Sequence, residues 1–194
     1  VGNWLVSDRS SIVSLPQLKH PGYTAEDWKS WEGRWELING MAYDMTPAPS
    51  LEHQGLVTAL SAQLFLALEE AKKRTGGGNC RVFVAPTDVF LDTGIVQPDL
   101  LVVCDPAKLS PRGIEGAPDL VVEVLSPRTA QKDWTSKRWA YEAAGVPEYL
   151  VVDPDERVGV LLRLEAGHYL EAVRVAWGAV VELLGGKFTV TLRD

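Results

Sequence analysis

The run Asp119-Leu-Val-Val-Glu123-Val-Leu125 constrains this chain more than any other segment. A strand's period of two puts Asp119, Val121, Glu123 and Leu125 on one face and Leu120, Val122 and Val124 on the other. Both faces are apolar apart from the acids, which predicts a central, buried strand. A carboxylate in the middle of such a strand costs on the order of several kcal/mol unless it is paired or binds a metal. The run Pro98-Asp99-Leu-Leu-Val-Val-Cys104 repeats the pattern, with Asp99 on the face of Leu101 and Val103. If the two strands pair, Asp99 and Glu123 come close enough to share one hard cation, which prefers oxygen ligands. Asp119 is the poorer partner, since four residues of strand separate it from Glu123 by roughly 13 Å.

Periodicity supplies the surrounding elements. Asn39-Gly40 between two short runs within Arg34 to Met45 predicts a hairpin with a type I′ turn. Leu56, Leu60, Leu64 and Leu68 predict an amphipathic helix stopped by Gly76-Gly77-Gly78. Strands are expected over Arg81 to Leu91, Gln97 to Cys104 and Asp119 to Leu125, then a helix from Thr129 to Ala144 that Gly145 and Pro147 terminate. A strand from Glu148 to Asp153 follows, with hairpins around Glu165-Ala166-Gly167 and Gly185-Gly186. This order implies an α/β (α+β) domain, a mixed sheet flanked by helices with additional hairpins. With 194 residues, one domain over 34–194 is expected, preceded by an irregular arm, 1–33, pinned by Trp4, Trp28 and Trp31.

Charge and cysteine content narrow the function. A net charge of -7 argues against a uniformly basic nucleic-acid surface, although Arg128, Lys132, Lys137 and Arg138 could form a basic rim beside an acidic site. Cys80 and Cys104 have neither zinc-ligand spacing nor the density of a disulfide scaffold, and are expected to be reduced thiols. No apolar run approaches membrane-spanning length and no signal-like segment opens the chain, so the expected location is the cytoplasm with no membrane partner.

On the helix wheel Lys137 lies with Asp133, Ala140, Tyr141 and Ala144, a row suited to packing against the sheet. Its ammonium could reach the Glu123 end of the strand, orienting a water or stabilising charge on phosphorus. Pro98-Asp99, then Glu123, then a helix bearing Lys137, resembles the PD-(D/E)XK nuclease superfamily. The longer string PDLVVEVLSPRTAQKDWTSKRWAYEAAGVPEYLVVDP is similar to its Uma-two branch of bacterial restriction endonucleases, over about Trp35 to Arg163. The resemblance implies a restriction-endonuclease-like core that hydrolyses phosphodiester bonds in DNA or RNA with Mg²⁺ or Mn²⁺. It implies that Asp99, Glu123 and the backbone carbonyl of Val124 hold the metal, with Lys137 as the lysine. The superfamily's own position for that lysine, two residues after the acid, is Leu125 here. Nucleases that cut both strands often pair two sites, so a homodimer is a further expectation.

Glu36, His53 and Asp88, the last in the first sheet strand, are secondary candidates, with a hairpin ion pair and a helix-start hydrogen bond to a backbone carbonyl as the structural alternatives for Glu36 and His53. Tyr141 and Tyr149 are expected to pack with a polar tip at the surface. The alternative to an enzyme is a catalytically weakened nuclease fold that binds nucleic acid or another partner.

Overall fold

Asn39 and Gly40 both adopt positive φ, 48° and 77°, as a type I′ turn requires. They join strands β1 (Trp35–Ile38) and β2 (Met41–Asp44) into the expected hairpin. The computed structural model describes residues 22–46, 48–75 and 78–193. Ahead of the hairpin stands helix α1 (Ala25–Trp28), opened by a Thr24–Asp27 capping box. Trp28 donates through Nε1 to the Trp35 carbonyl and sets its ring edge-on to Phe90, while Trp31 meets Tyr23 and Trp35. The later part of the expected arm is thus packed on the hairpin, and Trp4 lies outside the described residues.

Helix α2 (Leu51–Thr75) follows, with Leu56, Leu60, Leu64 and Leu68 all buried. Next come β3 (Arg81–Val84), β4 (Val89–Leu91), β5 (Gly94–Val96), β6 (Leu100–Val103), β7 (Leu109–Ser110), β8 (Gly113–Glu115) and β9 (Leu120–Val124). The chain then forms helix α3 (Ala130–Lys132), a π-helical turn (Asp133–Lys137) and helix α4 (Arg138–Ala144). It ends with β10 (Glu148–Asp153), β11 (Val158–Glu165), β12 (His168–Ala176), β13 (Val180–Leu183) and β14 (Phe188–Thr191). Among the described residues no helix is long and apolar enough to cross a membrane.

The central sheet has the order β12-β11-β10-β9-β6-β3, mixed because only β9 and β10 run parallel. A second sheet, β2-β1-β5-β4-β8-β7, is mixed through the parallel pair β4 and β8. Leu100, Val102, Leu120, Val122 and Val124 pack with α2 and the β13–β14 hairpin. Leu101, Val103, Val121 and Leu125 pack on the opposite side with α4 and the second sheet. The strand-face reading of 119–125 therefore holds, with β9 flanked by β6 and β10.

Three expectations are corrected. The segment 81–91 is two strands in two sheets, because Pro86 has no N–H for a ladder and interrupts the run. The helix over 129–144 contains the π turn rather than being uniformly α-helical. Cys80 and Cys104 are not reduced thiols but a disulfide. Arg81 pairs with Val103, so the next residues outward, Cys80 and Cys104, face one another across β3 and β6.

Candidate functional site

Antiparallel pairing sets the two acids side by side. Leu100 is opposite Val122 and Leu101 opposite Val121, so one step further along the register Asp99 stands opposite Glu123. The Asp99 N–H points at Glu123 Oε2 at 3.4 Å. Asp99 Oδ2 accepts the Val124 N–H at 2.9 Å and lies 3.1 Å from His53 Nε2. His53 reaches it from the first turn of α2, where its own N–H is capped by Ser50 Oγ.

The π turn brings the opposite wall inward. The Arg138 N–H bonds back to the Asp133 carbonyl, five residues earlier, and the Tyr149 hydroxyl donates to that same carbonyl at 3.1 Å. Such a widened turn is a recurrent device at functional sites. Asp133, Lys137 and Tyr141 all come out buried. Lys137 Nζ donates to Glu123 Oε1 at 2.8 Å, and the Tyr141 hydroxyl donates to the same oxygen at 2.7 Å. Lys137 also meets Glu36 Oε1 at 2.9 Å and Asp133 Oδ1 at 3.8 Å. Its side chain is only 2% exposed, so its ammonium is enclosed by three carboxylates.

Glu36 comes from β1 in the second sheet and is fully buried. The Gln97 N–H donates to its Oε1 at 2.9 Å, and Lys132 Nζ lies 2.6 Å from its Oε2. Asp88 is one step removed, accepting from Gln97 Nε2 at 2.8 Å. Asp119 faces the far end of β9, where it accepts the Cys104 N–H. The structure thus gathers Asp99, Glu123, Lys137, Glu36 and His53 into one cluster, with Asp88 behind it.

Electrostatics follow from this crowding. Burial pushes the Glu123 carboxyl well above its usual range; Lys137 opposes that, while Asp133, Asp99 and Glu36 reinforce it. Burial likewise raises Asp133 against the pull of Lys137. For Asp99 burial is outweighed by the hydrogen bond and charge of His53, with Lys137 and the Val124 N–H, and its carboxyl is lowered. His53 is raised: burial disfavours its charged form, but Asp99, the Val124 backbone and Asp133 outweigh that. Lys137 and Tyr141 are both raised well above their ordinary values, the first by surrounding carboxylates against burial, the second by burial and Glu123. Both are proton donors at neutral pH.

Each of the two strand acids is held through one oxygen. Among the described residues Asp99 Oδ2 has two partners and Oδ1 none, and Glu123 Oε1 has two donors and Oε2 only the long contact from Asp99. Among the described residues no three His, Cys, Asp or Glu side chains converge to hold an ion by themselves. Two carboxylate oxygens on paired strands nevertheless suit Mg²⁺, which is commonly held by one or two carboxylates and keeps several waters. A divalent charge would also favour the ionised form of Glu123, which burial and its acidic neighbours disfavour.

The family model described as "Uma2: Putative restriction endonuclease" matches residues 25–192. The chain belongs to the Uma2 family. No curated protein matches it. The fold is shared with a solved structure from Anabaena variabilis, titled a "putative nuclease belonging to DUF820", at a TM-score of 0.64 and 17% identity. That likeness covers 88% of the Uma2 chain and 95% of the other. It shows a shared α+β fold.

Sequence reasoning missed two donors of this Uma2 site. Tyr141 and Tyr149 are fully buried rather than tipped into solvent, and both hydroxyls serve the cluster. The signal for Tyr141 was its place four residues after Lys137, on the same helical row. The expected basic rim shrinks too. Lys137 is interior and Arg138 donates to the Tyr169 carbonyl, leaving Lys132, 13% exposed, and Arg128, which reaches the Thr46 carbonyl.

Proposed function

We propose that this Uma2 protein is a Mg²⁺- or Mn²⁺-dependent endonuclease hydrolysing phosphodiester bonds in nucleic acid, with DNA the first substrate to test. The observation that carries the reading is the matched pair of carboxylates, each anchored through one oxygen with the other lightly used. Asp99 Oδ1, Glu123 Oε2 and the Val124 carbonyl would hold the cation. A divalent cation there supplies positive charge for a phosphoryl oxygen and lowers the pKa of water toward neutrality.

The remaining roles belong to the chain. Lys137 holds Glu123 and Glu36 at fixed distances, and its enclosure assigns it to positioning more than to contact with water. His53 and the Val124 N–H orient Asp99. Lys132 and Arg128 would meet substrate phosphates, a local basic contribution in a protein of negative net charge. A second reading, a nuclease fold that binds without cutting, draws on that same enclosure of Lys137 and on Leu125, an apolar side chain on the site face of β9.

Cleavage of supercoiled plasmid and of single-stranded DNA and RNA with Mg²⁺ or Mn²⁺ tests the proposal. Wild type should cut, and D99A and E123A should each lose about 100-fold or more, the scale of removing a metal ligand or its support. Activity surviving both substitutions overturns the metal-site assignment. Salt-dependent DNA binding by an inactive wild type favours the binding reading instead.

A further inference from the structure

We infer that Tyr141 is a positioning residue whose hydroxyl fixes the plane of the Glu123 carboxylate, so that one oxygen is engaged and the other, Oε2, is left on the Asp99 side for a divalent cation. The inference rests on the metal-dependent reading above and adds a residue to it. Glu123 ends in a carboxylate on a side chain with several rotatable bonds, so burial alone does not fix the plane in which one of its oxygens is left facing Asp99. Lys137 donates to the same Oε1 at 2.8 Å, but its ammonium is shared with Glu36 at 2.9 Å and Asp133 at 3.8 Å, so that one contact leaves the carboxylate plane underdetermined. Among the described residues the Tyr141 hydroxyl has a single acceptor, Glu123 Oε1, at 2.7 Å.

The phenol suits this task for two reasons. It donates one hydrogen bond without adding a positive charge, so it orients Glu123 while leaving its negative charge available to a cation. Its ring is also fixed in place. Tyr141 is completely buried in α4, its ring meets Tyr149 edge-on at 5.2 Å, and its carbonyl accepts the Val146 N–H beyond the Gly145 helix cap. Losing a hydrogen bond from such an outer partner costs about 10- to 100-fold in metal affinity.

The test compares wild type, Y141F, D99A and Y169F by Mn²⁺ titration calorimetry and by thermal unfolding without metal. Y169F is the control for loss of a buried hydroxyl, since Tyr169 donates to the Val146 carbonyl away from the two acids. The expected result is Mn²⁺ binding to Y141F weakened about 10- to 100-fold, with a melting temperature no lower than that of Y169F and with Y169F binding Mn²⁺ as wild type does. Wild-type-like binding by Y141F, alongside loss of binding in D99A, overturns the Tyr141 inference and leaves the metal site standing. Failure of wild type to bind Mn²⁺ removes the metal reading and the inference together. Should Y141F not fold, wild type carrying 3-fluorotyrosine at its five tyrosines answers the question by ¹⁹F NMR. One buried resonance should shift on Mg²⁺ addition in wild type but not in D99A, and no shift overturns the inference.

Discussion

Lys137 Nζ donates to Glu123 Oε1 at 2.8 Å across fourteen positions of sequence, while Leu125, two residues after that acid, is buried among apolar side chains. The positive charge on this face of β9 is therefore delivered by the π turn and not by the strand. It is locked between acids from three elements: Glu123 on β9, Glu36 on β1 and Asp133 in the turn itself.

That geometry makes Lys137 a stability residue first. Removing one partner of a buried ion pair leaves uncompensated charge and costs about 3–5 kcal/mol. K137M should lose that much in urea unfolding. Combining it with E36Q, which removes one stranded carboxylate, should cost less than the two single losses added together. Additive losses would show that the Lys137–Glu36 contact carries no coupling.

Glu36 predicts the acid limb of stability. Burial pushes its carboxyl up, but the charges of Lys137 and Lys132 and their hydrogen bonds outweigh it and lower the folded value below the ordinary 4.5. A group depressed in the folded state contributes stability that is fully present above its unfolded value and is lost as pH falls through its folded value. The contribution should be intact at neutral pH and disappear progressively below about pH 4.5. Glu123 and Asp133 shift the other way, so the informative quantity is the difference between wild type and E36Q in urea midpoints from pH 7 to pH 3. That difference should shrink on acidification.

Much of this was legible because strong local patterns and tertiary demands agree. Apolar residues on both faces of 119–125 could only mean a covered strand, and one mid-strand acid made Glu123 conspicuous. The Leu56-to-Leu68 stripe and the Asn39-Gly40 turn read directly. The second sheet did not, because β4, β5, β7 and β8 are two or three residues long and carry too little alternation to register. The π turn was hidden since i, i+4 spacing looks alike in either helix, and Tyr141 because a buried hydroxyl and a packing ring share one sequence signal. The Cys80–Cys104 pair depended on strand register, which no spacing rule between the two cysteines contains.

That disulfide closes a loop with sequence separation 24, for which chain entropy gives a stabilisation of about 3 kcal/mol. Thiol titration of the unreduced, denatured protein should find no free cysteine, and reduction should lower urea stability by about that amount. A C80S/C104S variant should match the reduced wild type and ignore reductant. Two free thiols before reduction would contradict the pairing.

Gly94 and Gly55 make opposite predictions from the same substitution. Gly94 has φ +143°, and a Cβ there would lie 1.9 Å from the Leu37 carbonyl oxygen. It pairs with Ile38 of β1, the strand that carries Glu36. G94A must therefore push β1 away, costing about 3 kcal/mol or more and displacing Glu36 from both lysines. Gly55 lies in α2 with an ordinary backbone conformation and nothing within 4 Å of an added Cβ. G55A should stabilise the helix by about 0.5–1 kcal/mol. Thermal unfolding of the two variants, scored for opposite signs, checks both the close approach of β5 to β1 and the exposure of the first turns of α2.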